Sequence, residues 1–170
     1  MDSKKETISE YYDTVDSPVG RLYMVFSRNK LVGISFHCPD EIQLRHTSPT
    51  ALVKKELTEY FRNERKEFSC SIEFLEGTVF ERKVWNTLKE IPYGETRSYK
   101  WLAERLGRPK AARAVGNALG KNPIPIIVPC HRIVESGGGL GGYTGGVDVK
   151  RRLLGIEYYT ASDAIKKDRT

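Results

Sequence analysis

The chain has 170 residues, 39% of them hydrophobic and 10% aromatic, and a net charge of +6. That apolar content suits one compact domain, or two small ones sharing a core, and excludes a disordered chain. No apolar run approaches the ~20 residues needed to span a bilayer. The start, Met1-Asp2-Ser3-Lys4-Lys5-Glu6, lacks the apolar stretch of a secretory signal. A soluble intracellular protein with no membrane partner is therefore expected. The basic excess favours a polyanion such as nucleic acid, although a solvated basic surface fits net charge equally well. Basic residues are frequent from Arg97 to Arg113 and again from Arg132 to Arg152. The sparse, odd set of Cys38, Cys70 and Cys130 argues against a disulfide framework and for a reducing compartment. His37-Cys38, with His46 nearby, falls short of the four ligands of a closed zinc site. No metal is expected.

In chain order, Leu22–Ser27 and Leu31–Phe36 are β-prone runs separated by the polar turn Arg28-Asn29-Lys30, which predicts a hairpin. Ser48-Pro49 reads as an N-cap followed by proline at the first helical position. Val53, Leu57, Tyr60 and Phe61 then give that helix one apolar face. Phe68–Phe74 is a candidate strand. Gly77 marks a boundary, after which the pattern turns helical. Thr78-Val79-Phe80-Glu81 fits a capping box, with Phe80, Val84, Trp85 and Leu88 as the buried face. Pro92-Tyr93-Gly94 ends that helix.

Ser98–Leu106 and Lys110–Gly120 read as two short helices joined by the turn Gly107-Arg108-Pro109. The second is buried through Ala111, Val115, Ala118 and Leu119. Lys110, Arg113 and Asn117 fall on its outer face beside Ala112, Ala114 and Gly116. Small residues let a helix backbone approach a groove while one long cation reaches in. The pair fits a helix-turn-helix, and from pattern alone it fits an ordinary helical hairpin slightly better.

Ile124-Pro125-Ile126-Ile127-Val128-Pro129 is apolar and proline-stiffened, and it leads directly into Cys130-His131-Arg132. A rigid approach presents the thiol at a fixed place. Its basic neighbours are expected to lower the thiol pKa from its free value of ~8.5. A buried, inert cysteine is the alternative. In extended chain His131 would point away from Cys130, so a kink after Pro129 or a bridging water is required. The imidazole needs a partner to set its tautomer, and Glu157, on the helix expected after the glycine-rich loop, is a candidate. Gly137–Gly146 contains seven glycines. It formally fits GxGxxG, but it lacks the opening strand–turn–helix context of a dinucleotide site. It reads either as a pocket-lining loop or as a plain flexible one.

Together these segments resemble a known family. Pro129-Cys130-His131-Arg132-Ile133-Val134, preceded by Asn122-Pro123-Ile124-Pro125, resembles the active-site signature of the methylated-DNA–protein-cysteine methyltransferases, or O6-alkylguanine-DNA alkyltransferases. Gly94-Glu95 with Ser98-Tyr99 and Leu102-Ala103 looks like the family's first motif helix. Pro109–Gly116 looks like its recognition helix, Tyr143-Thr144-Gly145-Gly146 like its pocket loop, and Leu153-Leu154 through Glu157 like its last helix. The likeness is dense from about Phe80 to Glu157. In the first half it rests on element order and on Ser17-Pro18-Val19-Gly20.

The resemblance implies an α+β fold. A small N-terminal antiparallel sheet with a helix, ribonuclease H-like, would occupy 1–76. A mostly helical C-terminal domain at 77–160 would hold the helix-turn-helix and the active-site cysteine, with a tail at 161–170. It implies a DNA-repair protein that flips O6-alkylguanine out of duplex DNA and transfers the alkyl group irreversibly to Cys130, one event per chain. O4-alkylthymine and alkyl size are left open. His131 would act as base through a water, oriented by Glu157. Asn122 would order the segment, and Tyr99 would help rotate the nucleotide and protonate the guanine. Arg113 would fill the vacated stack. Ala112 and Ala114 would lie against the groove, and Lys100, Arg108 and Ser136 would meet the DNA backbone. Val128, Ile133, Tyr143, Thr144 and Gly145 would shape the pocket. No cofactor is implied. The partner would be double-stranded DNA, the protein a monomer, and its place the cytoplasm with the nucleoid, or the nucleus in a eukaryote. A zinc site of some family members lacks its ligand set here. Two other readings of the residues remain: a lesion-binding module without chemistry, and a hydrolase built on Cys130, His131 and Glu157.

Overall fold

The structure is a computed structural model, and it describes residues 9–167, with side chains as far as 158. Strands β1 (Glu10–Ser17), β2 (Gly20–Ser27) and β3 (Lys30–Ser35) form an antiparallel meander. The short strand β4 (Gln43–Leu44) adds to β1 in parallel, giving the order β3-β2-β1-β4. The sheet is thus mixed at one edge rather than purely antiparallel. Alternation in β2 sends Leu22, Met24 and Phe26 inward. Phe26 pairs with Tyr11 of β1, and their rings stack at 5.5 Å.

The expected hairpin is β2–β3. Strand β1 is an addition to the expectation. Its inward positions are Tyr11, Asp13 and Val15, and a carboxylate in that row breaks the apolar alternation. Asp13 is tolerated because Thr14 N–H donates to it at 2.7 Å and His46 Nδ1 lies 2.9 Å away.

Helix α1 (Ser48–Phe61) packs on the sheet. Its N-cap is Thr47, one residue before the expected Ser48, in a capping box with Thr50. Phe68–Phe74 is not a strand. It touches β3 through one bridge, Leu31 to Ile72. The amides of Ser69 and Cys70 are taken by the buried carboxylate of Glu56 instead of a ladder partner.

Helix α2 (Val79–Leu88) starts at the expected Thr78–Glu81 capping box. Its buried face is Val84, Trp85, Thr87 and Leu88, while Phe80 is half-buried under the Arg108 guanidinium. Trp85 Nε1 donates to the Ala118 carbonyl at 2.8 Å, tying α2 to the helix pair. That pair is α3 (Tyr99–Arg105), capped by Ser98, and α4 (Ala112–Gly120), with Gly107 at φ +70° in the turn. Helix α4 begins two residues later than expected, which leaves Lys110 in the turn and Ala111 half-buried before it.

Strand β5 (Arg97–Ser98) pairs in parallel with β6 (Ile133–Val134), joining the start of α3 to the chain beyond Cys130. Helix α5 (Val147–Lys167) follows the glycine-rich loop and continues through most of the segment expected as a tail; 168–170 lie outside the described residues. One apolar core runs through both halves, from Leu22, Phe26 and Leu57 to Leu102, Val115, Ile133 and Leu153. Among the described residues, no helix is long and apolar enough to cross a membrane.

Candidate active site

The segment leading to Cys130 is shaped by Asn122. Its Nδ2 donates to the Val128 carbonyl at 2.8 Å, and its Oδ1 accepts from Ile124 N–H at 3.0 Å. These bonds close the loop from 122 to 128, in which Ile126 is held at φ +76°. Strand β3 braces the same loop, since Ile34 N–H donates to the Pro123 carbonyl at 2.9 Å. The chain then makes a single 3-10 turn over Cys130–Arg132. This turn is the kink that sequence reasoning required, so the opposite-sides rule for extended chain does not apply.

Cys130, His131 and Arg132 are all buried. His131 Nε2 lies 2.7 Å from Glu157 Oε1, and its Nδ1 has no hydrogen-bond partner among the described protein groups. Burial pushes the Glu157 carboxyl up, but its bonds to His131 and Arg132 outweigh that and bring it to about 2. The carboxylate therefore accepts, Nε2 carries the proton, and Nδ1 presents a lone pair. Burial also holds the His131 pKa below its ordinary value despite Glu157, so the imidazole is neutral and basic near pH 7.

Contrary to expectation, the thiol is not activated by its sequence neighbours. Burial pushes the Cys130 thiol up, and the bond from Asn122 and the charge of Lys150 only partly oppose it. Arg132 does not serve the thiol. Its Nε and Nη2 each lie 3.0 Å from Glu157 oxygens, and its Nη1 donates to the Ile91 carbonyl at 2.7 Å. The resting group is a thiol, and its proton must leave as the sulfur attacks.

Cys130 opens onto a cavity of about 500 Å³ lined also by Tyr99, Gly116, Leu119, Gly120, Gly142, Tyr143 and Thr144. A larger cleft of about 900 Å³, between the β1–β2 turn and α5, is lined by no cysteine and no histidine. Thr144 Oγ1 donates to the Gly120 carbonyl at 3.1 Å, which ties the glycine-rich loop to the end of α4. Burial raises the Tyr99 and Tyr143 hydroxyls, so both remain protonated donors. The Tyr143 hydroxyl is buried with no partner among the described groups.

Of the residues expected to shape the pocket, Tyr143 and Thr144 line this cavity. Val128 and Ile133 are fully buried in the core, and Gly145 abuts Phe36. Ala112, Arg113 and Ala114 are exposed on the first turn of α4. Lys100 and Ser136 are exposed too, with Lys100 paired to Glu104 at 3.8 Å. Among the described residues, no group of three or more His, Cys, Asp or Glu is placed to hold a metal ion.

Two side chains at the site escaped the sequence reading. Lys150 is buried, and its Nζ donates to the carbonyls of Ile133 and Gly142. Tyr60 donates its hydroxyl to Glu157 Oε1 at 2.7 Å. A lysine in the first turn of a helix after a glycine loop gives no signal of burial. A tyrosine on an apolar helix face reads as core.

Two family models match the chain. Residues 10–87 match the ribonuclease-like domain of 6-O-methylguanine DNA methyltransferase, and residues 79–159 match its DNA-binding domain. A methylated-DNA–protein-cysteine methyltransferase from Mycolicibacterium paratuberculosis is 43% identical over 151 residues, covering 86% of this chain and 91% of that one. The chain belongs to the 6-O-methylguanine DNA methyltransferase family. A methylated-DNA–protein-cysteine methyltransferase from Methanosarcina acetivorans is 41% identical, covering 86% of this chain and 97% of its own. The crystal structure of Mycobacterium tuberculosis OGT in complex with DNA superposes with a TM-score of 0.82 at 40% identity, covering 88% and 94% of the two chains. Within this methyltransferase framework, Tyr60 falls in the ribonuclease-like match, and Cys130, His131, Lys150 and Glu157 fall in the DNA-binding match.

Proposed function

We propose that this protein repairs duplex DNA by moving the alkyl group of O6-alkylguanine to the sulfur of Cys130. The observation that carries the reading is the Cys130 thiol at the wall of a cavity, next to a neutral imidazole whose outer nitrogen is tied to Glu157. The family and the relative solved with DNA support the same reading.

The chemistry follows from the groups present. The alkyl carbon of the lesion faces the duplex interior, so the nucleotide must leave the stack to reach a buried thiol. Arg113, exposed at the helix start between Ala112 and Ala114, would enter the gap, and Lys100, Arg108 and Ser136 would meet the DNA backbone. In the cavity, the thiol proton passes through a water to His131 Nδ1. The C–S bond forms as the C–O6 bond breaks, and the bonding pair stays on guanine O6. The Tyr99 hydroxyl donates a hydrogen bond to N3 of the leaving guanine, and the proton held by His131 returns through water to the ring, so that guanine leaves neutral and both side chains regain their resting forms. Imidazolium formation is stabilised by Glu157, which keeps its charge. The product is a thioether on Cys130, which no group in the cavity can hydrolyse, so each monomer acts once. No step requires a cofactor. The reaction belongs where genomic DNA is, in the nucleoid or the nucleus.

Intact mass tests this. After incubation with duplex DNA containing O6-methylguanine, the protein should gain the mass of one methyl group, located on the Cys130 peptide, with one lesion lost per chain. Lesion binding without mass gain would instead assign a binding module. Repeated turnover without mass gain would assign a hydrolase.

A further inference from the structure

We propose that Tyr60, carried by α1 in the ribonuclease-like half, is a positioning residue for the transfer: its hydroxyl fixes the Glu157 oxygen that orients His131. The inference rests on the alkyl-transfer reading above and deepens it.

Glu157 Oε1 is the oxygen on which the site converges. Tyr60 Oη donates to it at 2.7 Å, His131 Nε2 lies at 2.7 Å, and Arg132 Nη2 donates at 3.0 Å. The other oxygen accepts from Arg132 Nε at 3.0 Å and from Gly94 N–H at 3.4 Å. Tyr60, His131, Arg132 and Glu157 are all buried, so the bonds among these four side chains are not shared with bulk solvent. The Arg132 fork sets the carboxylate plane. Tyr60 bonds from α1, an element distinct from those that carry His131 and Arg132, and so restrains the residual swing of Oε1.

The hydroxyl can be tested apart from the ring. The Tyr60 ring packs against Phe61 at 5.1 Å, Phe68 at 5.5 Å and Tyr93 at 6.0 Å. A phenylalanine would keep those contacts and lose only the bond to Glu157. Burial, then the charge of Glu157, raises the Tyr60 hydroxyl well above its ordinary range, so it is a donor at every working pH.

The consequence concerns the proton. Each donor on Oε1 draws charge from it and weakens its pull on the Nε2 proton. Without the Tyr60 hydroxyl, Oε1 attracts the imidazolium form of His131 more strongly. A larger fraction of His131 is then already protonated at a given pH and cannot accept the thiol proton. The other titratable groups facing this cluster are Arg132 from the 3-10 turn, Tyr93 from the loop after α2, Lys150 from α5, and Tyr143 with Cys130 from the cavity side. Tyr60→Phe leaves all of them in place.

The experiment compares wild type and Tyr60→Phe in single-turnover transfer from O6-methylguanine duplex across pH, read by intact mass. Binding to undamaged duplex and thermal stability are measured alongside. The expected result is a fall in rate of about tenfold near pH 7, equivalent to ~1.4 kcal/mol of barrier. The acid-side midpoint should move to higher pH, with DNA affinity unchanged. A merely structural bond would lower the melting temperature and leave that midpoint in place. If the variant is too unstable for kinetics, the imidazole of His131 is titrated by NMR at low temperature in both proteins, and the variant should show the higher value. Active wild type with an unchanged midpoint and rate in Tyr60→Phe overturns the role of Tyr60 alone. Wild type that never gains methyl mass overturns the alkyl-transfer reading itself.

Discussion

Lys150 Nζ donates to the carbonyl oxygen of Ile133 at 2.6 Å and to that of Gly142 at 3.3 Å. One buried ammonium thus holds the chain just after Cys130 to the glycine-rich loop that lines the cavity. Burial pulls its pKa down, and the neighbouring Cys130 and Glu135 pull it back up. Lys150→Met keeps the stem and removes the donor. A buried carbonyl left without a partner costs about 1–3 kcal/mol. We expect a urea midpoint lower by a corresponding amount and slower transfer, because the cavity wall loses its tether. An unchanged midpoint together with an unchanged rate would show that the ammonium is dispensable.

Gly145 is confined in size by its surroundings rather than by its backbone, which does not adopt a positive φ. A Cβ there would lie 2.7 Å from the Phe36 ring, and the same ring meets Tyr143 edge-on at 6.3 Å. Gly145→Ala should therefore cost about 1–3 kcal/mol through overpacking and disturb Tyr143. Phe36→Ala opens the space. In a double-mutant cycle the two losses should fall short of additivity by at least ~0.5 kcal/mol. Strict additivity in chemical unfolding would show that the ring and the loop do not press on one another.

The parts of the site that were legible in the sequence are the local ones. The prolines before Cys130 announce a stiff approach, and Thr78 with Glu81 announces a helix start that the structure reproduces. Glu157 was reachable because an imidazole demands an orienting partner. Contacts between segments remote in sequence were not legible. Tyr60 reaches Glu157 from the other half of the chain, and nothing in an apolar helix face distinguishes a core tyrosine from one that donates to a carboxylate. The thiol was misjudged for a related reason. Arg132 is only two residues on from Cys130, but its charge is committed to Glu157, and burial decides the sign. Strand β1 was missed because Asp13 occupies a core position, which only its tertiary partners make tolerable.

The resting state of the sulfur can be measured directly. Burial raises the Cys130 pKa and also shields the thiol, whereas Cys38 is exposed. Iodoacetamide reacts with thiolates. At neutral pH, peptide mapping should find Cys38 labelled first and Cys130 labelled slowly, with the Cys130 rate climbing as pH rises. Preferential labelling of Cys130 at neutral pH would mean a preformed thiolate, and the coupled proton transfer to His131 would have to be abandoned.

Glu157→Gln tests orientation and stability together, and the two must be separated. The amide keeps the shape but removes the charge facing Arg132, which lies 3.0 Å away and is buried. Breaking a buried pair by removing one partner costs about 3–5 kcal/mol. The carboxylate's own pH dependence has a definite sign. Its folded pKa, about 2, lies below the unfolded value. Its contribution is therefore present above the unfolded carboxylate range of ~4.3 and is lost as pH falls toward the folded value. Wild type should lose stability across that acid window, and Glu157→Gln should lose less there while being weaker at pH 7. Parallel stability curves for the two proteins from pH 7 to acid would rule out this linkage.

Arg113→Ala should impair repair of duplex DNA far more than reaction with a free alkylguanine base. Arg113 is exposed at the start of α4, between two alanines that keep the helix surface low. Pulling a base from the stack costs a few kcal/mol. A side chain that enters the gap offsets part of that cost by contacting the orphaned partner and the neighbouring bases. Free base has no stack to leave, so there the arginine has nothing to compensate. A loss of ~1.4 kcal/mol would appear as a tenfold drop in the duplex rate at subsaturating protein. Ordinary phosphate attraction would also weaken binding, but it would do so on all DNA and would fade with salt. A duplex lacking the partner base separates the two roles, because its lesion is already unpaired and the variant's defect should shrink there. Equal losses on free base and on duplex would place Arg113 in support of the pocket or the fold, and its role in extrusion would be withdrawn.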